Sequence, residues 1–123
     1  MAVRKDFTAS DNVFIGETKV FQFEIFGSDG VTPEDVSTYS LGFSVRTRDG
    51  RQVLWKTTAV DPGGIVVSGV YDADPAANTQ VVTATAKIPP VLPDTYDYQL
   101  WRLDVGSETV LTDGTVLFQP SRL

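Results

Sequence analysis

Residues 19–26 read Lys19-Val20-Phe21-Gln22-Phe23-Glu24-Ile25-Phe26. Phe21, Phe23 and Ile25 fall on one side of an extended chain, and Gln22 and Glu24 on the other. That is the period-two pattern of a strand with one buried face. It returns in Leu41-Gly42-Phe43-Ser44-Val45-Arg46, where Leu41, Phe43 and Val45 alternate inward, and in Tyr96-Asp97-Tyr98-Gln99-Leu100-Trp101. Clusters of Gly, Pro, Asp and Ser separate these runs. No stretch holds a helical period over three turns, and the helix-friendly piece Asp74 to Asn78 is too short to be stable. The expectation is an all-β domain, a sandwich or small barrel of about seven to nine short, mostly antiparallel strands.

The remaining runs fill in this frame. Residues 1–11 are polar around two apolar anchors, Val3 and Phe7, and read as an N-terminal arm or an edge strand. Residues 12–123 read as a single domain. Gly16-Glu17 is a turn, and Gly27 to Gly30 is a loop whose glycines allow positive φ. Pro33 bars a central strand from the segment that follows. Arg48-Asp49-Gly50-Arg51, between two alternating runs, predicts a hairpin with a type I′ turn. Gly63-Gly64 breaks the chain before a strand from Ile65 toward Tyr71. Thr79 to Ile88 places Val82, Ala84, Ala86 and Ile88 on one face. A proline-rich connection, Pro89 to Asp94, leads to a strand over Thr95 to Val105 with two usable faces. Tyr96, Tyr98 and Leu100 are assigned to the core. Trp101, Leu103 and Val105 require a covered outer face or a bulge that switches sides. Asp113-Gly114 is a second turn or bulge signal between Glu108–Leu111 and Thr115–Phe118.

Composition narrows the chemistry. The chain has 123 residues, one domain by size, with no cysteine and no histidine. It therefore lacks disulfides, thiolate nucleophiles and thiolate metal sites, and it lacks the usual general base near neutral pH. A net charge of -6 opposes binding to nucleic acid or to anionic membranes through charge alone. Arg46, Arg48 and Arg51 gather at one turn and read as a solvated hairpin tip. No apolar signal core opens the chain and no run approaches a membrane span, so a soluble protein without its own secretion signal is expected.

Few residue groups could carry chemistry. Asp72 and Asp74, with Asp61 in a neighbouring loop, could form a calcium loop or an acid pair. A hard cation wants six or more oxygen ligands and only three are at hand, so polar turns are the better reading. Glu34-Asp35 and Asp94 with Asp97 are read the same way. No nucleophile elbow, phosphate loop or dinucleotide fingerprint is present. Trp55 and Trp101 stand apart. Each is core, a contact with another protein, or a platform for stacking on sugars.

The order of segments resembles a family. Ile15-Gly16-Glu17-Thr18 and the alternating strand after it look like the "GDT" opening of immunoglobulin-like domains in tailed-phage virion proteins, typified by the N-terminal domain of phage baseplate upper proteins. Gly27-Ser28-Asp29-Gly30, Asp35-Val36-Ser37 and Phe43-Ser44-Val45-Arg46 follow in the family's order. Leu92-Pro93-Asp94-Thr95-Tyr96-Asp97-Tyr98-Gln99-Leu100 resembles its "P-G-x-Y-x-Y-x-L", and Gly114-Thr115-Val116-Leu117-Phe118 its last strand. Glu17, Val36 and Asp94 depart from the family's Asp, Leu and Gly.

The resemblance implies an immunoglobulin-like β-sandwich and a non-enzymatic virion component of the tail, baseplate, connector or capsid surface. It would be assembled in the host cytoplasm without cofactor or metal. Its partners would be other virion proteins and further copies of itself, rather than nucleic acid, membrane or a small-molecule substrate. The candidate interface residues are Trp55, Trp101, Leu103, Val3 and Phe7. The alternative is a carbohydrate-binding or host-adhesion module using Trp55, Tyr71 or Trp101, and a carboxylate hydrolase built on Asp72 and Asp74 is the weakest reading.

Overall fold

The computed structural model describes residues 2–5, 13–26, 34, 36, 38–60, 63–68 and 81–122, with the backbone alone for 2–5 and 68. Among them are nine strands: β1 (Ala2–Lys5), β2 (Val13–Phe14), β3 (Thr18–Phe26), β4 (Leu41–Arg46), β5 (Gln52–Thr57), β6 (Ile65–Ser68), β7 (Val81–Lys87), β8 (Asp94–Arg102) and β9 (Thr109–Gln119). They form two sheets, ordered β1-β3-β7-β6 and β2-β9-β8-β4-β5. Every pairing is antiparallel except that of β2 with β9. One sheet thus carries the first, third, sixth and seventh strands, the other the short second strand, the β4–β5 hairpin and the last two. This is an immunoglobulin-like β-sandwich. The N-terminal segment contributes to both sheets, β1 against β3 and β2 against β9. Residues 2–5 are therefore an edge strand and not a free arm.

Alternation builds the core as the sequence predicts. Phe21, Phe23 and Ile25 of β3 meet Leu41, Phe43 and Val45 of β4 and Tyr96, Tyr98 and Leu100 of β8, all buried. Val82, Ala84 and Ala86 of β7 line the inner face beside β3, with Ile88 buried just past the strand. Antibody domains pin their sheets with a disulfide against a tryptophan. Here rings do this. Phe43 lies 5.0 Å from Phe21, 5.8 Å from Phe23 and 6.2 Å from Tyr98, centroid to centroid. Tyr96 supplies a second hallmark, a tyrosine corner at the start of β8: its hydroxyl donates to the Leu92 carbonyl at 2.5 Å.

Three expectations are corrected. The β4–β5 loop is not a two-residue type I′ turn. Gly50 N–H donates to Thr47 O at 2.9 Å and Thr47 N–H to Arg51 O at 2.8 Å, which closes a three-residue loop with Gly50 at φ 94°. That is a turn followed by a left-handed glycine, the other common way to join twisted strands. The β8 strand ends at Arg102. The chain then turns through Asp104–Gly106, leaving Val105 98% exposed rather than on a covered face. Finally, Asp113-Gly114 is no turn. Both lie inside the continuous strand β9, and the irregularity falls nearby, where the register shifts between Leu100 and Trp101.

The C-terminal segment is tied back to the start of the domain. Ile15 N–H donates to Gln119 O, and Arg122 grips the Glu17 carboxylate at 2.6 and 2.9 Å while its guanidinium lies 3.9 Å above the Phe14 ring. The hydrogen bond from Arg122 holds the Glu17 carboxyl below its ordinary range. A depressed carboxyl stabilises the fold above its unfolded-state pKa, and that contribution vanishes as pH falls through its folded-state value. The melting temperature of Arg122→Gln should therefore lie slightly below wild type at neutral pH, and the gap should close in acid. Melts recorded from pH 7 down through the carboxylate range check this, and a gap that persists in acid would assign the effect to the Phe14 contact.

Candidate functional site

The outer face of the five-stranded sheet is assembled by the same alternation that fills the core. Since Phe43, Val45, Leu54, Tyr98 and Leu100 point inward, their neighbours Gly42, Ser44, Trp55, Gln99 and Trp101 point out. The register sets these side chains in rows across the strands. Thr57, Gly42, Trp101 and Val110 form one row. Trp55, Ser44, Gln99 and Asp113 form the next, and Gln52, Arg46, Asp97 and Thr115 the third.

Two of the rows carry a tryptophan. The absence of a side chain at Gly42 makes room for the first: a Cβ there would come 2.4 Å from Trp55 Cη2 and 3.0 Å from Leu103 Cδ1. Trp55 and Leu103 thus meet over the Gly42 backbone, with Trp101 its register partner on β8. Leu103 is held by the backbone bond from its N–H to Ser40 O at 2.7 Å. Below it, Arg102 pairs with Asp104 at 3.0 Å and lies 3.7 Å over the Tyr39 ring. The same guanidinium hydrogen bond lowers the Asp104 carboxyl pKa.

Polar groups on this face are incompletely paired. Ser44 and Thr57 are buried, and Ser44 Oγ, Thr57 Oγ1, Arg46 Nε and Trp101 Nε1 have no hydrogen-bond partner among the described residues. Leaving a buried donor or acceptor unpaired costs about 1–3 kcal/mol. Beside them, a groove of about 360 Å³ runs between β8 and β9, lined by Asp97, Tyr98, Gln99, Asp113, Gly114 and Thr115.

Three of the five candidate interface residues, Trp55, Trp101 and Leu103, therefore share one face. Both tryptophans are half-buried there, on the opposite side of the sheet from the core. Val3 takes its register opposite Ile25 in the other sheet, and its side chain lies outside the described residues, as does all of Phe7. Tyr71 and the carboxylates Asp61, Asp72, Asp74 and Asp35 also lie outside them. Among the described residues no group of three or more His, Cys, Asp and Glu could hold a metal ion. Sequence reasoning missed Gly42, Ser44, Gln99 and Asp113 as members of the face. Alternation alone marks Ser44 and Gln99 as outward, but only the register sets them side by side.

No protein-family model and no curated protein matches this chain. A solved structure, CopC from Methylosinus trichosporium OB3b, is similar over 89% of this chain and 83% of its own, at 13% sequence identity and a TM-score of 0.35. Likeness at that level carries no functional argument.

Proposed function

We propose that this chain is a non-enzymatic structural protein of a tailed-phage particle, working by protein–protein assembly in the tail, baseplate, connector or capsid surface. One observation carries the reading: Trp55 and Leu103 meet over Gly42 on the solvent side of a sheet with Trp101 as its register partner, beside four buried polar atoms that have no hydrogen-bond partner among the described residues. A purely solvated antiparallel face would be polar. Aromatic anchors within a polar surround are the composition of protein interfaces. The segment order that resembles virion immunoglobulin-like domains supports the same reading.

The test is incorporation into particles. The wild-type chain should be found by mass spectrometry in purified virions at a fixed copy number. Trp101→Ala should keep its fold, yet enter particles at least tenfold less well per folded subunit. If Trp101→Ala unfolds while incorporation per folded subunit is unchanged, the residue serves the fold alone and the reading loses its support. Binding on a glycan array, abolished by the same substitution, would favour host adhesion instead.

A further inference from the structure

We propose that the groove between β8 and β9 receives the β4–β5 hairpin tip of a second copy of this chain. The inference rests on the assembly reading and names a partner for the same face.

The groove is a set of hydrogen-bonding groups awaiting a cation. Asp97, Gln99, Asp113 and Thr115 line it, and none of their side chains makes a hydrogen bond or ion pair among the described residues. Carboxylate oxygens accept hydrogen bonds, and the one guanidinium beside them in the sheet, Arg46 opposite Asp97, makes no ion pair with either carboxylate among the described residues, so the two leave room for a further donor. The row of Gln99 and Asp113 continues into another open group on the neighbouring strand: Ser44, register partner of Gln99, is wholly buried, and its Oγ has no hydrogen-bond partner among the described residues. Trp101 stands two residues along β8 from Gln99, where a ring can face an inserted guanidinium.

The chain carries the complementary group itself. At the hairpin tip Arg48 and Arg51 are exposed, and neither side chain is in an ion pair among the described residues. The one carboxylate at the tip, on Asp49, is already engaged by the Thr47 hydroxyl. A three-residue loop closed by two backbone bonds presents these arginines on a stiff support. Guanidinium is the donor best matched to paired carboxylates, through its planar fork. Exposed ion pairs contribute little each, so the tip orients the contact while the tryptophan face supplies the burial. Tip-into-groove contacts either close reciprocally as a dimer or run head to tail into a ring or fibre.

Light scattering of the purified chain over a range of concentrations and salt tests this. Wild type should associate reversibly at low salt and dissociate as ionic strength rises, because exposed charges are screened within about 10 Å at 0.1 M. Asp97→Lys/Asp113→Lys and Arg48→Glu/Arg51→Glu should each weaken association at least tenfold while keeping wild-type melting curves. Mixing the two variants should restore it, since the exchanged charges again meet as opposites. A wild type that stays monomeric at low salt overturns the proposal. So do reversals without effect, or a mixture that fails to recover. If the reversals are silent but Trp101→Ala still loses incorporation into particles, the self-contact falls and the assembly reading stands.

Discussion

Phe43→Ala should destabilise the domain by about 3–5 kcal/mol, the usual loss when a fully buried ring is truncated to a methyl group. Phe43 is the hub of the aromatic cluster. Its ring touches Phe21 and Phe23 from the facing sheet and Tyr98 from its neighbouring strand. Removing it leaves a void that three rigid rings, held on two paired sheets, cannot collapse to fill. Domains of this kind are stable by roughly 5–15 kcal/mol in total, so one substitution removes a large share. The expected fall in melting temperature is on the order of 10–20 °C. Val66→Ala is the control. Val66 is 63% exposed on the other sheet, and its truncation should change stability by less than about 0.5 kcal/mol. Equal effects from the two variants would mean that the cluster is not the centre of the core.

Gly114→Ala should cost about 1–3 kcal/mol, an unusually large penalty for adding one methyl group to a strand. The position does not need a glycine for its backbone, since Gly114 is not among the glycines at positive φ. It needs one for space. A Cβ there would lie 2.5 Å from Tyr98 Oη, 2.8 Å from Cζ and 2.9 Å from Cε1. Tyr98 is 1% exposed and wedged between Phe23 and Phe43, so the ring has nowhere to move. The shortest of those approaches involves the hydroxyl. Combining Gly114→Ala with Tyr98→Phe should therefore recover part of the loss, a coupling that independent sites would not show. Denaturant midpoints measured for both single variants and the double variant decide it. If the single losses simply add, the clash is not the cause.

Gly114 also shows why a local signal misled. Asp-Gly between apolar runs is a sound turn signature where the strands can reverse. Here Gly114 is paired with Tyr98 across a long ladder, and the glycine answers a ring from another strand rather than a bend of its own. Gly50, in the same dipeptide context, does sit at a turn. The Asp-Gly dipeptide itself does not separate the two cases, because what Gly114 answers is a partner distant in sequence.

What the sequence determined by itself was the inside of this protein. Side chains alternate along a strand whatever the strand pairs with, so Phe21, Phe23, Ile25, Phe43, Tyr98 and Val82 announce a buried face from local order alone. The sandwich follows, because two such faces must cover each other. Only the tertiary structure decided the outside. Trp55 and Leu103 meet over Gly42 with Trp101 as its register partner, and Asp97 comes to share a groove with Asp113, because β4, β5, β8 and β9 pair in one particular register. Register is a relation between strands far apart in the chain. Its energy is spread over every inward-facing contact at once, so no single stretch of sequence carries it.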